Sequence, residues 1–183
     1  GGSLGTSLVQ GKLERLFTYR HEILTEDLAM ATRYGSVRGM RFLVTGASGM
    51  VGRALVPFLQ SQGHEVVRLV RTKTRAADEI FWDPKKGVLD LAHARPFDAV
   101  VHLAGENIAG GRWTEARKAL LRSSRVGPTA LLARTLAGLK RKPKVLVSAS
   151  AIGYYGNRGD TWVTEKDAPA DDFLGRLAVE WEK

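Results

Sequence analysis

The sequence predicts a doubly wound α/β fold built on a parallel sheet, and two observations carry that expectation. From Arg41 onward, short runs of apolar and β-branched residues alternate with stretches of helical periodicity. The first of these runs, Arg41-Phe-Leu-Val-Thr-Gly46-Ala-Ser-Gly49-Met-Val-Gly52, passes straight from a buried strand into a glycine-spaced turn and the start of a helix. Strand and helix in alternation imply right-handed crossovers and a parallel sheet covered on both faces.

Residues 1–39 precede that pattern. Leu8, Val9, Leu13, Leu16, Phe17, Ile23, Leu24 and Leu28 recur at helical spacing, and Gly35 and Gly39 separate them from the first strand. This predicts one amphipathic helix or two, acting as a structural prop. Binding to a membrane surface is the poorer reading, because Glu14, Glu22, Glu26 and Asp27 interrupt the basic face.

The glycine turn has a dinucleotide-binding reading. Gly46 lets the backbone turn with positive φ, Gly49 lets it approach a pyrophosphate without a Cβ in the way, and Gly52 lets the helix lie close to the strand. Ser48, Met50 and Val51 complete the turn, and the helix start offers unpaired N–H groups and a positive dipole end to phosphates. The same spacing also serves ordinary strand–turn–helix connections, so the flanking elements matter. Residues 53–62 read as the first helix, with Leu55, Val56 and Leu59 on one face and Gly63 ending it.

Residues 64–71 read as the second strand. An NAD site usually ends this strand with a carboxylate for the ribose 2′-hydroxyl. Val70 holds that place here and Arg71 follows it, which favours NADP over NAD, since a guanidinium pairs with a 2′-phosphate that a carboxylate would repel. Lys73 and Arg75 add positive potential; the alternative is that all three cations line a solvated loop.

A short third strand at 79–82 ends at Asp83-Pro84 and the Lys85-Lys86-Gly87 turn. Residues 97–104 read as a fourth, buried strand, with Leu103 and Ala104 leading into Gly105-Glu106-Asn107. A helical region at 114–139 is interrupted at Gly127-Pro128, and residues 144–148 read as the fifth strand. Ligands of such sheets bind beyond the carboxyl ends of the strands, where Gly46, Arg71, Gly105 and Ser148 converge. His102 reads as a satisfied core histidine and Trp113 as buried wall. Asn107 and Arg112 are candidates to orient a substrate. Arg125 faces inward, holding a cofactor phosphate or pairing with an acid.

Composition narrows the function classes. The chain has no cysteine, which excludes disulfides, thiol nucleophiles and thiolate metal sites, and its four histidines lack ligand spacing, so no metal is expected. No apolar run spans a bilayer and nothing resembles a signal peptide, so a soluble, cytoplasmic protein without a membrane partner is expected. The formal charge of +9 raises nucleic acid as a partner. The basic residues are dispersed, however, and the densest cluster, Lys140-Arg-Lys-Pro-Lys144, sits where cations complement a helix end and has no interleaved aromatics, so no nucleic-acid partner is expected.

Five motifs together resemble the extended or atypical short-chain dehydrogenase/reductase superfamily, and within it the NAD-dependent epimerase/dehydratase family. They are Thr45-Gly-Ala-Ser-Gly-Met-Val-Gly52, His102-Leu-Ala-Gly-Glu-Asn-Ile108, Arg112-Trp-Thr114, Ser124-Arg125 and Ser148-Ala-Ser-Ala-Ile-Gly-Tyr-Tyr-Gly156. The resemblance covers residues 40–183 and implies an incomplete Rossmann-like NAD(P)-binding domain that stops at Trp181-Glu-Lys183, before the family's substrate-binding half. Residues 1–39, through Leu13-Glu-Arg-Leu-Phe-Thr-Tyr-Arg-His21 and Asp27-Leu28, resemble the last helix of a cyclase or lipid-transfer-like helix-grip domain.

The resemblance also implies a catalytic Tyr with a Lys four residues later and a nearby Ser. Ser150 stands at the serine position, with Ser148 a second candidate, but Phe173 and Leu177 stand where Tyr and Lys belong. Tyr154 or Tyr155 can supply a hydroxyl instead, and Glu106 or Glu165 an acid or base; the plainer role of a loop Tyr is packing. Two functions remain: an NADP(H)-dependent oxidoreductase or epimerase whose substrate is not legible, and an NADP(H)-binding sensor or interaction module without turnover. Oligomeric state is not legible.

Overall fold

The structure is a computed structural model that describes residues 3–34, 39–72 and 74–183. Gly35 and Lys73, and the side chain of Leu8, lie outside the described residues. The chain divides into two compact units, Gly1–Arg38 and Gly39–Lys183. In the first, α1 (Ser3–Tyr34) is one unbroken helix, which settles the choice between one and two. Its Val9, Leu13, Leu16, Phe17, Ile23, Leu24 and Leu28 are all exposed.

The second unit runs β1 (Arg41–Thr45), α2 (Met50–Ser61), β2 (Glu65–Val70), β3 (Glu79–Asp83), β4 (Val88–Leu89), β5 (Ala99–His102), α3 (Glu115–Ser123), α4 (Val126–Ala137), β6 (Val145–Ser148), a 3-10 turn (Ile152–Tyr154) and α5 (Phe173–Glu182). The sheet order is β4-β3-β2-β1-β5-β6. β1, β2, β3, β5 and β6 are parallel, with Val44 opposite Arg68 on one side and Val101 on the other. The chain therefore starts in the middle of the sheet and winds out both ways, as expected of a doubly wound fold.

Alternation within the central strands feeds two cores. Leu43, Val67, Leu69 and Val100 face α4, whose Leu132 and Leu136 cover them together with Trp82, Leu91 and Phe97. Val44 and Val66 point the other way, onto Leu55, Val56 and Leu59 of α2. The two-sided burial is the reason these strands read as near-continuous apolar runs.

Three expectations need correcting. The sheet is not wholly parallel: β4 pairs antiparallel with β3 through Trp82–Leu89 and Asp83–Val88, and a two-residue strand is too short to show a period. The helical region breaks at Ser124 and Arg125, not at Gly127-Pro128. Pro128 sits in the first turn of α4, where no intrahelical acceptor awaits an N–H, so proline is accommodated there. Finally, cover on both faces does not extend to β6, where Val145, Leu146 and Val147 are exposed.

Candidate functional site

The turn after β1 is built around two contacts that admit no side chain. Gly46 has φ 68°, and a Cβ there would lie 2.7 Å from the Leu103 carbonyl carbon and oxygen. A Cβ on Gly52 would lie 2.3 Å from the Gly46 oxygen and 2.6 Å from Ala47 Cα. Gly46 thus lets β1 pass close to the end of β5, and Gly52 lets α2 close onto the turn. Gly49 differs: it caps α2 in an extended conformation, and its Cβ would meet only the Gly46 oxygen, at 3.1 Å.

The cradle also presents donors. Arg53 N–H is the first of the helix to find its acceptor, the Gly49 carbonyl at 2.9 Å. The N–H groups of Met50, Val51 and Gly52 have no acceptor among the described residues, as the geometry of a helix start requires. Met50 and Val51 are exposed at the positive end of α2, whereas Gly52 is buried against the turn. Arg71, one residue beyond β2, is exposed and makes no ion pair among the described residues, whereas Arg68 is clamped by Asp78 and Glu79. Arg75 lies in the same loop, with its backbone N–H bound by Glu79.

Below the cradle runs a buried polar chain whose hydrogens can all be assigned. Thr45 Oγ1 accepts from the N–H groups of Leu103 and Ala104, each at 3.1 Å. Its proton therefore goes to His102 Nδ1, 2.6 Å away, which places the imidazole hydrogen on Nε2. Nε2 donates to Thr129 Oγ1 at 3.0 Å. Thr129 also accepts from Trp181 Nε1 at 2.8 Å and donates to the Arg125 carbonyl at 2.8 Å. An imidazolium would need an acceptor at Nδ1, and Thr45 has none left. Burial accordingly lowers the His102 pKa from 6.5 to about 4. The sequence reading of His102 as a satisfied core residue holds, and the ring it satisfies ties the residues after β5 to α4 and α5.

Arg125 stands at the joint of α3 and α4. Its guanidinium donates to the carbonyls of Glu106 (2.9 Å) and Leu121 (3.2 Å) and to Ser124 Oγ (3.3 Å), and lies 5.2 Å from the centre of the Trp181 ring. Among the described residues it forms no ion pair with an acid. Burial lowers its pKa, and the neighbouring Arg117 charge adds to that effect, against the pull of the Glu106 carboxylate. A Cβ on Gly105 would sit 3.4 Å from the Arg125 Cζ, so this cation flanks the strand end directly.

Glu106 is held by Arg117 at 2.9 Å, and Asn107 Oδ1 accepts the Ala109 N–H at 2.9 Å, so both shape their own loop. Arg112 is exposed. Trp113 is not buried wall: it is 41% exposed and stacks edge-on against Phe173, with ring centres 5.9 Å apart.

At the end of β6, the Ser148 hydroxyl bonds the adjacent Ala149 carbonyl at 3.3 Å, and Ser150 Oγ donates to the Glu182 carboxylate of α5. Tyr154 and Tyr155 pack edge to face, 5.0 Å apart. Burial, then the charges of Glu165 and other nearby carboxylates, raise the Tyr155 pKa, so its phenol is a donor and not a base. Glu165 itself is exposed. α5 carries Phe173 at its start and Leu177 in the core, 5% exposed. Sequence reasoning missed the roles of Thr45, Thr129, Trp181 and Glu182, because their partners are far apart along the chain.

Fold and turn together define the Rossmann-like class of nucleotide-binding domains. The profile of the NAD dependent epimerase/dehydratase family matches residues 42–175, and the chain belongs to that family. An epimerase family protein of Mycobacterium bovis is 41% identical over 139 residues, covering 76% of this chain and 46% of its own length. The crystal structure of human epimerase family protein SDR39U1 with NADPH matches with a TM-score of 0.67 at 32% identity, covering 78% of this chain and 48% of that one. A nucleoside-diphosphate sugar epimerase from Corynebacterium glutamicum matches with a TM-score of 0.76 at 36% identity, covering 91% of this chain and 35% of that one. The chain spans about half the length of the curated relatives it matches. Among the described residues, no helix is long and apolar enough to cross a membrane.

Two outcomes follow from this geometry. Gly52→Ala should cost about 1–3 kcal/mol, the usual range for overpacking, and Gly49→Ala much less; urea denaturation of both variants checks the ordering. Because the folded His102 pKa lies below its unfolded value, its contribution to stability is present above about pH 6.5 and is lost as the pH falls toward about 4. At roughly 1.4 kcal/mol per pKa unit, the loss amounts to about 3 kcal/mol. The stability difference between wild type and His102→Gln, measured in urea across that window, should shrink by this amount.

Proposed function

We propose that this chain is the cofactor-binding part of an oxidoreductase or epimerase that moves hydride between a hydroxyl-bearing carbon and a nicotinamide dinucleotide, with NADP(H) as the cofactor. The observation that carries the reading is the row of acceptor-free amides at Met50, Val51 and Gly52, above a cradle too tight for a Cβ at Gly46 or Gly52. In this reading Gly46, Ser48, Gly49, Met50, Val51 and Gly52 hold the pyrophosphate and the exposed Arg71 takes the 2′-phosphate. Leu103, Ala104 and Gly105 border the cofactor, with Arg125 and Ser148 beside them, and Ser150, Tyr154 and Tyr155 face the reacting oxygen. The human relative solved with NADPH supports the choice of cofactor.

The reading extends to the rest of the protein. A cytoplasmic location belongs to it. The match to the Corynebacterium protein covers more of this chain than Gly39–Lys183 comprises. That supports assigning residues 1–39 to a preceding domain, of the helix-grip kind, and residues 40–183 to the nucleotide fold.

A specific observation favours a second reading, binding without turnover. Leu177 lies in the core and Phe173 is stacked on Trp113, so the usual phenolate and ammonium pair is not available. Phe173→Tyr alone should therefore not create reductase activity, because Leu177 provides no ammonium four residues on and the Lys118 ammonium, 5.7 Å from the centre of the Phe173 ring, is paired with Glu115; NADPH oxidation with a panel of carbonyl compounds checks this.

Cofactor choice is tested by calorimetry on the full-length protein with NADPH and NADH. A charge-assisted phosphate contact is worth roughly 1.5–3 kcal/mol, so the wild type should prefer NADPH by about 10- to 150-fold and Arg71→Ala should lose most of that preference. Equal affinities in the wild type would sink the assignment.

A further inference from the structure

α5 brings a carboxylate to Ser150, which the resemblance puts, with Ser148 as a second candidate, at the position of the family's catalytic hydroxyl. Ser150 Oγ donates its only proton to Glu182 Oε1. A hydroxyl has one hydrogen and two lone pairs, so Ser150 in this arrangement can accept a proton from a substrate hydroxyl but has none to offer a substrate carbonyl. Three neighbouring carboxylates are engaged elsewhere: Glu180 is paired with Arg122 of α3, Asp171 with Arg176, and Asp172 accepts the Gly175 N–H; Glu165 is exposed. Glu182 has no cation partner among the described residues, and the Ser150 hydroxyl is its hydrogen-bond partner.

We propose that Ser150 and Glu182 form a proton relay that replaces the missing Tyr and Lys, acting on a secondary alcohol and its ketone. The proposal rests on the reading that the chain binds a nicotinamide dinucleotide. In the oxidation direction, the substrate O–H proton passes to Ser150 Oγ while the Ser150 proton passes to the Glu182 carboxylate. A bound oxidised nicotinamide would supply the hydride acceptor for the C–H electron pair, so that the C–O bond becomes C=O. In the reduction direction, the protonated Glu182 returns its proton through Ser150 to the forming alkoxide. Ser150 touches the reacting oxygen; Glu182 acts through it.

The surroundings suit that division of labour. Tyr155, from the loop after β6, faces the Glu182 charge, with Glu165 and Asp167 also near it, and its phenol stays protonated as a donor. On the helix side, Glu180 is neutralised by Arg122, and Lys183 follows Glu182.

The test uses the full-length protein, with cofactor affinity measured by calorimetry beside turnover. The probes are an aromatic ortho-quinone with NADPH and a panel of secondary alcohols with NADP+. Glu182→Gln and Ser150→Ala should lower kcat by about 10²-fold or more, the usual yield of a positioned acid or base, with cofactor Kd changed less than twofold. Glu182→Gln should also remove the acid limb of the pH profile of alcohol oxidation, and Glu182→Asp should recover part of both. Glu180→Gln, on the same helix, should leave turnover unchanged. Without cofactor, tyrosine-labelled NMR should show Tyr155 titrating lower in Glu182→Gln, since the carboxylate is one of the charges that raise it. A wild type that fails to bind either dinucleotide overturns the underlying reading. One that binds but turns over no probe, or a Glu182→Gln variant that matches wild-type turnover and pH profile, overturns the relay alone.

Discussion

The Thr45 hydroxyl is the joint on which the upper edge of the sheet depends. It accepts the two amides that begin the segment after β5 and has one proton left, which goes to His102. That single allocation sets the imidazole tautomer, directs Nε2 to Thr129, and leaves Thr129 able to receive the Trp181 indole. A chain of this kind is worth more than its separate bonds, because a break strands a buried donor or acceptor. Replacing Thr45 by Val would strand the Ala104 amide and the Nδ1 lone pair at once, and leave the Leu103 amide with only the backbone carbonyl of residue 45, at 3.3 Å.

Gly46 belongs to the same construction. Its backbone lies so close to Leu103 that Thr45 Oγ1 reaches the amides of both Leu103 and Ala104. Gly46 of the glycine turn is therefore also the residue that lets the Thr45 side chain of β1 reach the backbone beyond β5. The cradle follows β1 and the proposed relay follows β6, two parallel strands on either side of β5, and their carboxyl ends are where this sheet topology gathers ligands.

The arrangement also explains how α5 can lack the family's Tyr and Lys and remain well anchored. Asp172 caps it by accepting the Gly175 N–H at 2.8 Å, and Gly175 is needed because a Cβ there would lie 2.1 Å from the Ala170 oxygen. Leu177, Ala178 and Trp181 bury one face. A buried Leu177 contributes to the core where a lysine ammonium would have to be desolvated, and the relay proposed above gives the polar role to Glu182 instead.

Local pattern was enough for much of this. The periodic runs marked five of the six strands and the helix after the glycine turn: burial on both faces leaves an apolar signature in the central strands, and β6 carries the same apolar run although it is exposed. Gly46, Gly49 and Gly52 disclosed the cradle because φ and close approach are properties of the residue itself, and Val70-Arg71 showed the charge at the end of β2. The remainder depended on partners distant in sequence. The antiparallel β4, the break at Ser124-Arg125 and the exposure of Trp113 were decided by packing. The pairing of Ser150 with Glu182, and the proton order through Thr45, His102, Thr129 and Trp181, exist only once the fold brings those groups within hydrogen-bond reach, for no spacing along the chain encodes which donor meets which acceptor.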